Sequence, residues 1–272
     1  MTLARIVPPE RPWRRYVAIG DSFTEGMCDA DPARPGEYVG WADRLAGMLA
    51  QVAATEGTEF EYANLAIRGR LLADVTERQL PEALALAPDL VSIVGGGNDI
   101  LRPRADMAAL AAALEEAVRA IRATGADVLL ATPTDPEEAP VIKHLRGRHA
   151  IHTANIWTIA RRNGCHVIDQ WGMRSLKDWR MWAEDRIHMS EEGHRRVALN
   201  AFAALGYTPR DPADHDWEVP LPARPTPGLA ERARADREWL AVHVRPWVGR
   251  RLAGKSSGDT RAAKRPRLTP YD

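Results

Sequence analysis

Five residues of this 272-residue chain have the types and spacing of an acyl-transfer centre. Ser22 closes the triplet Gly20-Asp21-Ser22, directly behind the apolar run Tyr16 to Ile19. A serine hydroxyl is a poor nucleophile at neutral pH. It needs a base within hydrogen-bond reach, and that base needs a partner that fixes its tautomer and steadies its positive charge. His188 can take the proton, and Asp185, three residues earlier, can hold the other ring nitrogen, so one short loop sets the geometry of both. Ser190 caps a helix just beyond; its positive end lowers the imidazole pKa while Asp185 raises it, a balance that predicts a base near neutrality. Donors for a developing oxyanion come from the backbone N–H groups of Ser22 and Gly69 and the side-chain amide of Asn98.

The elements that position these residues follow from hydrophobic spacing. Short apolar strands are predicted at Tyr16 to Ile19, Phe60 to Ala66, Asp89 to Val94, Ala126 to Ala131 and Cys165 to Asp169. Helices are predicted between them, over 41–54, 72–87 with a kink or break at Pro81, 106–124 and 150–162. A last helix over 191–205 is capped by Ser190 and ended by Gly206. Strand and helix alternate five times, which argues for βαβ units and a parallel sheet covered on both faces. Ser22, Gly69, Asn98 and the Asp185–His188 loop then all lie at carboxyl ends of strands, on one rim. The expected organisation is an N-terminal lead (1–15), a main domain (16–208), a Pro-rich strap and helix (209–253) and a basic, disordered tail (254–272). The arm is expected to pack back through Trp239, Leu240 and Trp247.

Gly20-Asp21-Ser22, Gly69, Gly97-Asn98-Asp99 and Asp185-Arg186-Ile187-His188 together resemble the four sequence blocks of the SGNH hydrolases, also called the GDSL esterase/lipase family. The resemblance runs in order from about residue 16 to 205. It implies an α/β fold, a three-layer α/β/α sandwich with a five-stranded parallel sheet of flavodoxin-like type. It also implies that Ser22 is the nucleophile, His188 the base and Asp185 its orienter, with Ser22, Gly69 and Asn98 as the oxyanion hole and no cofactor or metal. Ala66-Ile67-Arg68 precedes Gly69 where small residues are common in the family, which leaves Arg68 or Arg70 free to reach substrate. Lysophospholipids, O-acetylated sugars, thioesters and small acyl esters all suit this chemistry.

Other readings fit less well. The triple glycine 95–97 lacks the Gly-Lys-Ser/Thr of a phosphate loop, and Gly20-x-Ser22-x-Thr24 lacks the second glycine of the α/β-hydrolase elbow. His144, His149 and His152 carry no metal spacing and read as solvent-facing or substrate-loop residues, and His194 as the exposed face of its helix. Glu25 paired with Asp21 or Asp185 has no glycosidase spacing to support it. Trp171, Trp179 and Trp182 read as core, with one of them able to line an acyl pocket.

Charge is balanced, with 37 Lys plus Arg and 37 Asp plus Glu, so no global field favours nucleic acid or anionic membranes. A residual alternative, a non-catalytic binding module, rests on the basic cluster Lys264-Arg265-Pro266-Arg267. The Arg-rich lead lacks an apolar signal core and no run is long enough to span a bilayer, so a cytoplasmic location is expected, with a small acyl ester as partner. Cys28 and Cys165 suggest no disulfide framework and read as buried spectators.

Overall fold

A computed structural model describes residues 8–139, 142–225, 228–246, 249 and 256–271. At its centre is β1 (Arg15–Ile19), an apolar strand buried on both faces, as parallel strands between helical layers must be. It pairs in parallel with β2 (Glu61–Asn64) on one side, Val17 opposite Ala63, and with β3 (Leu90–Ile93) on the other, Val17 opposite Val91. β4 (Asp127–Ala131) and β5 (His166–Ile168) extend the parallel sheet beyond β3. Strand order therefore reverses between β1 and β3, the point at which open α/β sheets leave a crevice beyond their carboxyl ends.

Two apolar layers sandwich the sheet. On one face α2 (Gly40–Thr55) and α8 (Glu191–Ala204) bury Trp41, Leu45, Leu49, Val197 and Ala201. On the other, α6 (Met107–Ala123) and α7 (Arg146–Asn163) bury Leu114, Val118, Ile121, Ile156 and Ile159. The α/β/α sandwich thus stands as expected. The helix anticipated over 72–87 is split into α3 (Leu72–Asp74), a π turn (Val75–Gln79) and α4 (Leu80–Ala85). Pro81 enters the first turn of α4, where its missing N–H is not needed.

The C-terminal tail departs from expectation. Over 256–271 it is ordered, and β6 (Arg265–Pro270) joins the sheet as a sixth, antiparallel strand on the free edge of β2. Pro266 and Pro270 fit there because an edge strand tolerates missing donors. Basic composition hid two anchors. The Lys264 ammonium is buried against the Asp43 carboxylate (2.8 Å) and the carbonyls of Tyr38 (3.0 Å) and Val39 (2.6 Å). The Tyr271 ring meets Tyr62 edge-on at 5.2 Å.

The strap before it is also held: Arg196 donates to the Val219 carbonyl (2.6 Å), Arg180 to that of Pro222 (2.9 Å) and Ser175 Oγ to that of Trp217 (2.9 Å). Beyond the strap, α9 (Leu229–Trp239) brings Trp239 back onto the domain, whereas Leu240 is exposed and Trp247 lies outside the described residues. No helix of the described residues is long and apolar enough to cross a membrane.

Candidate active site

β1 ends at Gly20, whose backbone is clamped by one side chain: Gln79 Nε2 donates to the Gly20 carbonyl (2.9 Å) and its Oε1 accepts from the Gly20 N–H (2.8 Å). A Cβ at residue 20 would fall 2.6 Å from the Val94 carbonyl oxygen and 2.7 Å from Thr24 Oγ1, so only glycine lets the chain turn here. Asp21 caps the short helix α1 (Ser22–Glu25), accepting from the Phe23 N–H at 3.1 Å. Its carboxylate also accepts from Asn98 Nδ2 (3.1 Å), and burial pushes its pKa up to about 6.

Asn98 lies on α5 (Gly97–Ile100), just beyond β3, and its amide donates a second bond to the Arg70 carbonyl (2.9 Å). One amide thus ties together the segments following β1, β2 and β3. The loop after β2 is anchored by Arg68, whose guanidinium is buried against Glu25 (Nε to Oε1, 2.9 Å) and whose backbone N–H donates to Glu25 Oε2 (2.7 Å). This pairing uses up Glu25, so it is not one of two catalytic carboxylates, and it turns Arg68 away from substrate. Gly69 follows with a φ of +72°. It packs under the tail, where a Cβ would fall 2.3 Å from Ser256 Oγ. Arg70 likewise turns to the tail, donating to the Gly258 carbonyl at 3.3 Å.

Across the crevice, Asp185 and His188 share a tight turn closed by an Ala183 N–H to His188 carbonyl bond (2.8 Å) and a bridge between Trp182 and Met189. Asp185 Oδ1 accepts from the backbone N–H groups of Ile187 and His188, both at 2.9 Å, and Oδ2 accepts from His188 Nδ1–H at 2.6 Å. Burial would raise the Asp185 pKa, but His188 and the two amides hold it below the ordinary carboxylate range. Burial would lower the His188 pKa; the Asp185 carboxylate and the neighbouring Cys28 thiol outweigh it and raise it to about 9. His188 is therefore more basic than the near-neutral value expected from the balance of helix end and Asp185. The expected Ser190 cap is present, its Oγ accepting from Gly193 N–H at 3.3 Å.

Ser22, Asn98 and His188 line one cavity of about 220 Å³, walled by Thr132, Trp179 and Trp182. Gly69 is outside its lining, as is Trp171. Both Ser22 and His188 line this space, with no hydrogen bond between them among the described contacts of His188, whose ring is bound to Asp185. A serine–histidine bond that closes only around substrate is common in unliganded enzymes.

His194 and Cys28 differ from expectation, and His149 and His152 keep only the substrate-facing half of theirs. His194 is buried: its Nε2–H donates to the Met27 carbonyl (3.1 Å), Nδ1 accepts from the Trp41 N–H (3.2 Å), and burial pushes its pKa down to about 4. The signal was the spacing 194, 197, 198 and 201, which puts this ring on the apolar stripe of α8. His149 and His152 are not solvent-facing. α7 starts earlier than anticipated, and both rings turn inward to line the cavity, while His144 is exposed. Cys28 is half-buried beside His188 rather than a spectator in the core; nothing in its sequence neighbourhood indicates that proximity.

Comparison with solved structures returns proteins of the same fold. An α/β hydrolase from the metagenome of Lake Arreo, Spain, LAE5, is 23% identical with a TM-score of 0.61, covering 75% of this chain and 98% of its own. TesA is 25% identical, with a TM-score of 0.56 over 70% of this chain and 97% of its own. Axe2, an acetylxylan esterase from Geobacillus stearothermophilus, is 22% identical, with a TM-score of 0.58 over 76% of this chain and all of its own. No curated protein matches the chain. The model of the GDSL-like Lipase/Acylhydrolase family matches residues 18–196, the stretch that carries all four sequence blocks, and the chain belongs to that family of ester-hydrolysing enzymes.

Proposed function

We propose that this enzyme cleaves carboxylic acyl esters through a covalent acyl-serine, with Ser22 as nucleophile, His188 as base and Asp185 as its orienter. The observation that carries this reading is the Asp185–His188 pair, fixed at 2.6 Å with its second carboxylate oxygen held by two amides, its histidine lining the same cavity as Ser22. Neutral His188 accepts the Ser22 proton as Oγ adds to the acyl carbonyl. The resulting imidazolium is stabilised by Asp185 and returns the proton to the departing alkoxide. Water then repeats the sequence in reverse roles: His188 takes its proton, hydroxide adds to the acyl carbon, and the acid leaves as Ser22 recovers its proton.

The oxyanion is assigned to the N–H groups of Ser22 and Gly69 and to Asn98 Nδ2. Ser22 N–H opens a helix, where amides lack an intrahelical partner. In the unliganded protein Asn98 donates to Asp21 and Arg70, so a substrate oxygen must share or replace one of these bonds. A cavity of about 220 Å³ is below the ~300 Å³ at which drug-sized ligand pockets begin, which favours a short acyl group. Axe2, similar in fold, is an acetylxylan esterase, in line with that choice. A binding module is not favoured: Lys264, one of the four residues of the basic cluster, is buried in an ion pair.

The test is hydrolysis of p-nitrophenyl esters from acetyl to palmitoyl by the parent and by Ser22→Ala, with fluorophosphonate labelling of the serine. Activity should peak at short chains, fall by on the order of 10⁶ in kcat without Ser22, and vanish together with labelling. Undiminished hydrolysis by Ser22→Ala would refute the covalent mechanism.

A further inference from the structure

Cys28 lies beside His188, and the proposed reaction leaves it unused. Its Sγ, a ring nitrogen of His188 and a carboxylate oxygen of Asp185 all lie within 4.8 Å of one another, and all three side chains are partly accessible. Thiolate sulfur, imidazole nitrogen and carboxylate oxygen are the donor set of a tetrahedral, borderline-soft cation, and ligands around such an ion are separated by distances of this order. The cluster is held on both sides before any ion arrives. Cys28 has a φ of +73°, a backbone conformation unusual for a residue with a side chain. Its neighbours are pinned: the Met27 carbonyl accepts from His194 Nε2–H, and the buried Asp29 carboxylate accepts from Gly40 N–H and from Arg44 at 2.8 to 2.9 Å. On the other side, the two amide bonds to Asp185 Oδ1 keep that carboxylate in place with Oδ2 2.6 Å from His188 Nδ1, so that an ion replacing the Nδ1 proton meets both atoms.

From this cluster we infer an inhibitory site for zinc or a cation of its class, formed by Cys28, His188 and Asp185, with water completing the coordination. On binding, the Cys28 S–H proton and the His188 Nδ1–H proton pass to solvent, and the sulfur coordinates as thiolate. With the metal on Nδ1, the imidazole keeps its remaining proton on Nε2 and has no lone pair there to accept the Ser22 proton, so the enzyme is switched off until the ion is withdrawn. The site itself stands on the geometry of three donors; its inhibitory effect rests on the reading of His188 as the base.

The experiment uses the full chain freed of metal by chelator dialysis and titrated with cobalt(II) and then zinc at neutral pH. One cobalt should bind per chain with a near-ultraviolet thiolate-to-cobalt charge-transfer band, displaced by one equivalent of zinc. Zinc should lower p-nitrophenyl acetate hydrolysis by on the order of 10²–10⁴, the contribution of a general base, and EDTA should restore it. Cys28→Ser should lack the band and need at least about tenfold more zinc for the same inhibition while still hydrolysing ester; Cys165→Ser should keep the band. No band in the parent, or equal zinc sensitivity in Cys28→Ser, overturns the site. A parent that shows the Cys28-dependent band but neither hydrolyses any ester nor labels at Ser22 upholds the site and overturns the hydrolytic reading instead.

Discussion

The two walls of the crevice are built in opposite ways. The wall that carries Ser22, Gly69 and Asn98 is wired into the sheet by buried polar groups: Gln79 on Gly20, Glu25 on Arg68, Asn98 on Asp21 and Arg70. The wall that carries Asp185 and His188 belongs to no regular element. It follows two 3₁₀ turns (Arg174–Lys177 and Trp179–Met181), passes through Arg186 at a φ of +56°, and is propped from outside by α9. There Trp239 Nε1–H donates to the Asp185 carbonyl at 2.7 Å, Arg186 is stacked between the rings of Trp179 (5.8 Å) and Trp239 (5.2 Å), and Asp236 pairs with Arg186 at 2.6 Å. An oxyanion hole must not move as charge develops, and buried networks do not. A base that turns between nucleophile and leaving group needs a fixed partner but not a rigid wall.

The difference predicts that equivalent damage costs stability on one wall and little on the other. Glu25→Ala leaves the Arg68 guanidinium buried without its partner and should cost about 3–5 kcal/mol in urea unfolding. Asp236→Ala, which breaks the half-exposed pair to Arg186, should cost only about 0.2–1 kcal/mol. Similar losses in the two variants would erase the distinction. Asn98→Ala should raise the barrier by about 2.7–4 kcal/mol, or 10²–10³ in kcat on a model ester, and an unaffected kcat would remove Asn98 from the oxyanion hole.

Above pH 7, where Asp21 with its pKa of about 6 is already ionised, pH probes the second wall. As the proposed base, His188 works only when neutral, and its pKa is raised to about 9, so kcat/KM should climb with pH and gain about 50-fold between pH 7 and 9. Stability runs the other way. A histidine whose folded pKa lies above its unfolded value, near 6.5, stabilises the fold fully below 6.5 and loses that contribution as pH rises through 9. Cys28→Ser should move the kinetic limb to lower pH. A flat rate profile from pH 6 to 9 would show that His188 is not the group taking the proton.

How much of this was legible in the sequence follows the same division. That Ser22 and Asn98 share one cavity was readable because each follows a strand, and strands announce themselves by apolar runs; Gly69, read in the same way, lies outside its lining. Asp185 and His188 were readable because they are three residues apart. The contacts between them and the rest were not. Cys28 beside His188 is a proximity between residues 160 positions apart, set by how two loops fold over one crevice. The wall from α9 lies outside the four blocks altogether. β6 was misread because composition counts Lys264 and Arg265 as solvated charge, whereas a single buried carboxylate, Asp43, gives that segment a place to dock. His194 shows the reverse error: its polarity outweighed a spacing that put it on the buried stripe of α8.

The smallest effect bears most directly on the comparison. Trp239→Phe keeps an aromatic face for Arg186 but removes the indole N–H that holds the Asp185 carbonyl. Loss of one such bond is worth about 0.5–1.5 kcal/mol. If α9 only steadies the turn, the loss should appear as a two- to tenfold drop in kcat with KM nearly unchanged, because the Asp185–His188 pair samples more orientations while the cavity keeps its shape. Thermal unfolding of the sandwich should shift down by only a few degrees, since its two apolar layers do not include this contact. No change in kcat would mean that the turn is held by its own amides, and α9 would then be a cover rather than a prop. A loss as large as that of Asn98→Ala would break the comparison from the other side, making the base wall as dependent on one hydrogen bond as the oxyanion wall is.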